Sequence, residues 1–308
     1  MEITAKMVKQ LREMTGSGIM DCKRALQEAD GDYDRAVEVL REKGLATAQK
    51  KAGRIAAEGI VYAVVKEDKA AIVEVNSETD FVAKNEKFRT FVAEVADQIL
   101  ATDAADVDAL LATDWIGEDD GKVSDVLANR ISVIGENLKI RRFEKLTVSD
   151  GVIIPYIHAA GRIGVLVQAQ TSVVNDEVTE AVKNVAMQVA ALNAKYVSED
   201  EIDQDFIAHE KEILMTAAKN ETPDKPEKIL NGIVMGRLKK EFKEICLLDQ
   251  VYVKAEDGKQ SVAQYLAQVS KAVGADIKIT KFVRFETGEG LAKKEENFAE
   301  EVAKQMGN

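Results

Sequence analysis

Few side chains among these 308 residues are equipped for acid–base, nucleophilic or metal chemistry. There are two histidines, His158 and His209, and two cysteines, Cys22 and Cys246, neither of them in a C-x-x-C pair. A disulfide framework and a thiolate zinc site therefore both lack partners, and the cysteine usage fits a reducing compartment. His209-Glu210 has no second histidine at the H-E-x-x-H spacing, no G-x-S-x-G occurs, and Glu118-Asp119-Asp120-Gly121 lacks the alternating oxygen ligands of a calcium loop. The phosphate-binding signatures fail too. There is no G-x-x-x-x-G-K-[S/T], and Gly16-Ser17-Gly18 is followed by Asp21 where G-x-G-x-x-G needs its last glycine. No catalytic, cofactor-binding or metal-binding residue is assigned on this basis, and no cofactor is expected. His158 falls at a strand end in an apolar setting, a structural or interface position, and His209 on a solvated helix.

One stretch stands apart, Asn76-Ser77-Glu78-Thr79-Asp80-Phe81-Val82-Ala83-Lys84-Asn85. Two readings are open. Thr79 or Asp80 caps a helical turn while Phe81 packs inward, or Phe81 stands out beside a carboxylate in the form of an interface hot spot. A second connector, Ser172-Val173-Val174-Asn175-Asp176, has the same capped-turn character without an aromatic. The architecture thus does not demand a phenylalanine there, which favours the second reading.

The elements that must position this stretch follow from the hydrophobic periodicity. Residues 1–57 read as three short helices and a basic linker. Thr4 is the N-cap before Met7, Val8, Leu11 and Met14, Gly16 is the stop, and a second helix follows near Met20–Ala29. Tyr33, Ala36, Val37 and Leu40 stripe a third helix that Gly44 is expected to end, with Ala46–Ala57 as a basic helical linker. A bundle this small has a marginal core and exposes apolar surface, so it suits binding more than chemistry. Residues 58–148 and 149–198 repeat one plan, a strand pair followed by an amphipathic helix. Strands at 60–65 and 70–76 precede the stripe Phe88, Phe91, Val92, Val95 and Ile99, and strands at 152–159 and 163–170 precede Val178, Val182, Val185 and Val189. A further helix near Val123–Asn137 and a strand at 140–148 lie between them.

Residues 199–245 break the pattern with an αα-hairpin interrupted by Thr222-Pro223-Asp224-Lys225-Pro226. Its first arm is acidic (Glu199, Asp200, Glu201, Asp203, Asp205) and its second basic (Arg237, Lys239, Lys240, Lys243), so pairing of opposite charges at its base is expected. Such a hairpin can fold back on its own subdomain or pair with a second copy as a homodimer. Residues 246–288 supply strand-like segments at 248–254 and 277–285 around a helix near Val262–Val273, and 289–308 reads as a C-terminal helical module.

Composition narrows the function. With 42 basic against 54 acidic residues the net charge is −12, which disfavours a general phosphate-neutralising surface for nucleic acid. The front 57 residues carry 11 Lys/Arg against 9 Asp/Glu, a net +2 that leaves −14 for the remainder, so the front module is electrostatically separate. The opening MEITAKMVKQLREM is charged throughout, and no run of 18 apolar residues occurs. A cytoplasmic protein that neither spans a membrane nor binds bare nucleic acid is expected.

Four motifs carry a resemblance: LREMTGSGIMDCKRAL (11–26), EVNSETDFVAKN (74–85), HAAGRIGVLV (158–167) and KFVRFETGEG (281–290). In order and content they resemble the bacterial elongation factor Ts family, guanine-nucleotide exchange factors of the translational GTPase elongation factor Tu. The resemblance implies an α+β protein with a ubiquitin-associated-like three-helix front domain, a core of two related antiparallel-sheet-plus-helix subdomains and an inserted antiparallel coiled-coil hairpin. It implies an exchange factor without covalent chemistry, which speeds GDP release by disturbing the magnesium and phosphate site of elongation factor Tu.

By the same resemblance Thr79, Asp80, Phe81 and Val82 form the loop that enters the GTPase near its magnesium site. Leu11, Arg12, Ile19, Met20 and Lys23 would hold a helix of that GTPase, and Ile134, Gly135, His158 and Val253 fall at further partner contacts. Two departures concern loop geometry. Asn193-Ala194-Lys195-Tyr196 lacks a proline that the family commonly has, and Gln250-Val251-Tyr252 stands where the family has Gln-Pro and an aromatic. The alternative class is a non-catalytic, chaperone-like binding module.

Overall fold

The structure is a computed structural model and describes residues 2–118 and 121–292. In chain order its elements are α1 (Ala5–Thr15), α2 (Ile19–Glu28), α3 (Tyr33–Lys51), β1 (Glu58–Lys66), β2 (Lys69–Ser77), α4 (Asp80–Ala83), α5 (Glu86–Ala101), α6 (Val107–Leu111), α7 (Val123–Ile134) and β3 (Lys139–Thr147). There follow β4 (Gly151–His158), β5 (Ile163–Gln170), α8 (Asp176–Leu192), α9 (Gln204–Glu221), α10 (Glu227–Ile245), α11 (Val262–Val273) and β6 (Lys278–Glu286). The chain is thus α+β.

Cap chemistry starts the front helices. The Thr4 hydroxyl accepts the Met7 amide at 3.3 Å and the Asp32 carboxylate accepts the Arg35 amide at 2.9 Å, each satisfying a donor that the helix leaves free. Leu11, Cys22, Ala25, Leu26 and Ala36 then fill one small core. Met14, expected on the apolar stripe, is instead 55% exposed. Gly44 does not end α3 either. The helix continues to Lys51 because this side of it packs on α7, where a Cβ at Gly44 would sit 3.7 Å from the Ala128 carbonyl oxygen. The linker is therefore helical only as far as Lys51.

Two three-stranded antiparallel sheets follow, ordered β1-β2-β3 and β4-β5-β6. Helix α5 lies on the first, where Phe88, Phe91, Val92 and Val95 meet Val73, Val75 and Ile140. Helix α8 lies on the second, where Val178, Val182 and Val185 meet Val165, Val167 and Ile279. The other faces close on each other through Val61, Ile72, Ile153, Leu166 and Phe285, giving a helix–sheet–sheet–helix order. This sandwiching explains why β2 is buried on both faces from Ala70 to Ser77, with Ala70–Val73 an unbroken apolar run and Glu74, Asn76 and Ser77 buried polar residues beyond it.

The two sheets share fine detail. The β2–β3 register shifts between Glu74 and Val75, and the β5–β6 register shifts between Gln168 and Ala169. Beside each bulge the neighbouring strand carries a glycine of positive φ at its first or second residue, Gly151 or Gly59, where a Cβ would lie 2.0 or 2.1 Å from the carbonyl oxygen of Ala169 or Val75. No side chain fits so close an approach.

Helices α9 and α10 form the hairpin, closed by Leu230, Val234 and Ala218 toward its tip and by Ile202, Leu238 and Phe242 at its base. The expected charge pairing at the base is not found. Among the described residues the ion pair joining the arms is Arg237–Glu221, whereas Glu201 accepts the Val197 amide and Asp203 caps α9. These short acidic side chains satisfy local backbone donors instead of reaching across.

The expected strand at 248–254 is also absent. Residues 247–249 form a 3-10 turn, and Val251 makes one isolated bridge to Ser261. Gln188 on α8 supplies the hydrogen bonds that a partner strand would have given, donating to Gln250 and to the Val251 carbonyl and accepting from the Val253 amide. The expected C-terminal helical module begins as a turn at Glu289, and its residues from 293 onward lie outside the described ones.

Candidate functional site

The singled-out stretch forms the turn from β2 into the one-turn helix α4. Thr79 has extended backbone and its hydroxyl accepts the Val82 amide at 3.3 Å, so it is the cap, with Ser77 Oγ donating to the Thr79 carbonyl at 3.0 Å. Capping fixes the phase of the turn. Val82 and Ala83 face the core beneath α5, while Asp80 and Phe81 project outward, and the Phe81 ring is 80% exposed. It does not pack inward. Asp80 pairs with Lys84 at 2.6 Å one turn on, and that bond holds its carboxyl below the ordinary aspartate range.

A second loop meets this one. Gly135 caps α7 in the left-handed conformation and is exposed, while Ile134 is partly buried against the first core. The next residue, Glu136, accepts the Glu78 amide at 3.1 Å and the Thr79 amide at 3.0 Å through one carboxylate oxygen, and the Thr79 hydroxyl at 2.7 Å through the other. Glu78 in turn accepts the Asn137 amide at 2.6 Å and pairs with Arg54 at 3.4 Å. The Gly135 carbonyl receives the ammonium of Lys51 from the end of α3. Gly16 and Ile134 face a common cleft of about 360 Å³, so the front module adjoins the same side.

On that module Ile19 and Met20 are 54% and 61% exposed, and Arg12 and Lys23 are exposed as well. Leu11 is wholly buried in the three-helix core and has no surface to offer, so contact from its turn falls to Arg12.

His158 ends β4, exposed, with Nδ1 3.0 Å from the Tyr156 hydroxyl. Its turn continues through Ala159 and Ala160 at φ 46° and 56°, a conformation alanine seldom adopts. Arg89 of α5 donates to the Ala160 carbonyl at 2.9 Å and ties that turn to the first sheet's helix. Val253 is 47% exposed but stands on the loop that Gln188 holds. Among the described residues no hydrogen bond or ion pair joins it to the Phe81 loop.

Glu136, Arg89 and Gln188 were not singled out from sequence, because each acts through a backbone group far along the chain; nor was Tyr156, whose hydroxyl meets the His158 ring two residues on. Glu136 alone had a local signal, its place directly after the Ile134-Gly135 pair. Among the described residues no group of three or more His, Cys, Asp or Glu side chains is placed to hold a metal ion, and no helix is long and apolar enough to cross a membrane.

Fold and loops together define a scaffold that presents an exposed aromatic on a clamped turn beside a second fixed loop. The profile of the family described as Elongation factor TS matches residues 78–289. The chain is 55% identical over 306 residues to "Elongation factor Ts" of Clostridioides difficile (strain 630), covering 99% of both chains. It is 53% identical over 307 residues to that of Clostridium perfringens (strain 13 / Type A) and 51% over 306 residues to that of Clostridium tetani (strain Massachusetts / E88), again over 99% of each. The chain belongs to the elongation factor Ts family, a family of translation elongation factors.

Proposed function

We propose that this chain binds the GDP form of elongation factor Tu in the cytoplasm and accelerates GDP release, with the loop Thr79–Val82 entering the GTPase near its magnesium site. The observation that carries the reading is the Phe81 ring, 80% exposed on a turn whose backbone is held from both ends. Leaving so large an apolar ring in water is unfavourable unless a partner covers it. Ile134, Gly135 and His158 in the core, with Arg12, Ile19, Met20 and Lys23 in front, supply the remaining contact, and Val253 a separate one.

The mechanism is linkage. Magnesium neutralises the nucleotide phosphates in such GTPases, so displacing the elements that hold the ion loosens the diphosphate. Whatever factor this chain imposes on GDP affinity, GDP imposes on its own binding, and the factor is displaced when nucleotide returns. Phe81 is the wedge, and no covalent step is involved.

Release of a fluorescent GDP analogue from elongation factor Tu, measured with sub-stoichiometric amounts of this chain, tests the reading. Multiple turnovers are expected. A chain that saturates at one-to-one with no acceleration is a binding module and overturns it.

A further inference from the structure

The Phe81 turn and the Ile134–Gly135 turn are not independent loops. Each is held by a carboxylate borne on the other: Glu136 collects the amides of Glu78 and Thr79, and Glu78 collects the amide of Asn137 at 2.6 Å. The Glu136 interaction also spans residues 58 and 57 positions away, so no local turn preference enforces it.

The bonds bear on function through Thr79. Its amide and hydroxyl are both engaged by Glu136, and the same hydroxyl caps α4 at the Val82 amide. Freed from Glu136, the cap would lose its long-range hydrogen bonds, and the four-residue helix carrying Phe81 would keep only the Ser77 bond and the packing of Val82 and Ala83 to set its direction. A turn that short has no stability of its own.

We propose that Glu136 is a positioning residue: its clasp on Glu78 and Thr79 locks the Phe81 turn to the Ile134–Gly135 turn, so that both meet the partner as one preformed unit. The inference rests on the exchange-factor reading above. Preorganisation removes the ordering cost that a free loop incurs on binding. Reach rather than charge sets the clasp, since one oxygen takes both amides and the other a hydroxyl that can either donate or accept. Glutamine at 136 satisfies the same groups, and aspartate, one methylene shorter, does not.

The test is the rate of GDP release from elongation factor Tu with the full chain. Glu136→Ala is expected to slow assisted release about tenfold, the worth of one to two such bonds, with Glu136→Asp similar and Glu136→Gln close to wild type. In a chain already carrying Phe81→Ala, Glu136→Ala is expected to add less than about twofold, because the two act on one step. Amide exchange on the free protein should show the Glu78 and Thr79 N–H groups losing protection in Glu136→Ala and Glu136→Asp, and keeping it in Glu136→Gln.

Wild-type rates from Glu136→Ala and Glu136→Asp overturn the inference, as does a full tenfold loss on the Phe81→Ala background. So does a Glu136→Gln chain as slow as Glu136→Ala. If Glu136→Ala fails to fold, the Asp and Gln variants decide. A wild-type chain that leaves GDP release unchanged overturns the functional reading instead, and the inference falls with it.

Discussion

Glu74 and Arg142 face each other across β2 and β3, joined by a 2.7 Å bond from Nε to a carboxylate oxygen, with Glu74 wholly buried. Arg141 adds a bond of 2.9 Å, Asn76 one of 3.0 Å, and the Gly288 amide from the turn after β6 one of 2.8 Å. Arg142 also lies 4.3 Å over the Phe285 ring of β6. One carboxylate thereby pins the exit of the second sheet to the centre of the first.

Burial pushes the Glu74 carboxyl up, but bonds from Gly288, Asn76, Arg141 and Arg142 outweigh it and hold the group below the ordinary glutamate range. Folding therefore favours the ionised form. Its stabilisation is whole above the ordinary glutamate pKa and is lost as pH falls below that toward the folded-state value. Glu74→Ala should cost about 3 kcal/mol, the low end for breaking a buried pair because both arginines keep partial solvent contact. Denaturant melts from neutral to acid pH should show a shallower acid limb in Glu74→Gln than in wild type.

Phe81→Ala should slow assisted GDP release by about 10- to 100-fold, the equivalent of burying one phenylalanine in a partner. Because the ring is exposed in the free chain, its melting temperature should not fall. Stopped-flow nucleotide release and a thermal melt, run side by side, separate the two effects.

Gly164 lies where the second sheet meets the first, and a Cβ there would stand 2.4 Å from Cγ1 of the buried Val61. Gly164→Ala should destabilise by about 1–3 kcal/mol through overpacking. Trimming the obstacle should restore part of that loss, so Gly164→Ala with Val61→Ala is expected to be non-additive in denaturant unfolding.

Gly44→Ala should act in the opposite direction. The added methyl would meet Ala128 at an ordinary 3.7 Å, and alanine is about 0.5–1 kcal/mol better than glycine inside a helix. A raised unfolding midpoint is the expected result. A lowered one would mean that the α3–α7 contact is tighter than its geometry indicates.

Much of the molecule was legible without coordinates because the signals are short-range. The cap at Thr4, the paired strands around residues 66–69 and 159–162, the helix stripes of α5 and α8 and the break at Pro223-Pro226 each lie within a few residues of what they control. Where the reading failed, a distant element had intervened. Gly44 looked like a stop until α7 packed on it, Met14 looked like core in a bundle that leaves its side chain in water, and 248–254 looked like a strand whose hydrogen bonds Gln188 had taken.

The outward aim of Phe81 was favoured by the sequence and follows from the local cap at Thr79, whereas the clasp between Glu136 and Glu78 and the closing of Glu74 on Gly288 belong to the tertiary structure alone. The last of these joins groups 214 residues apart. Periodicity and caps report on backbone torsions over a turn or two, whereas a buried carboxylate finds its donors only after two sheets have come together in register.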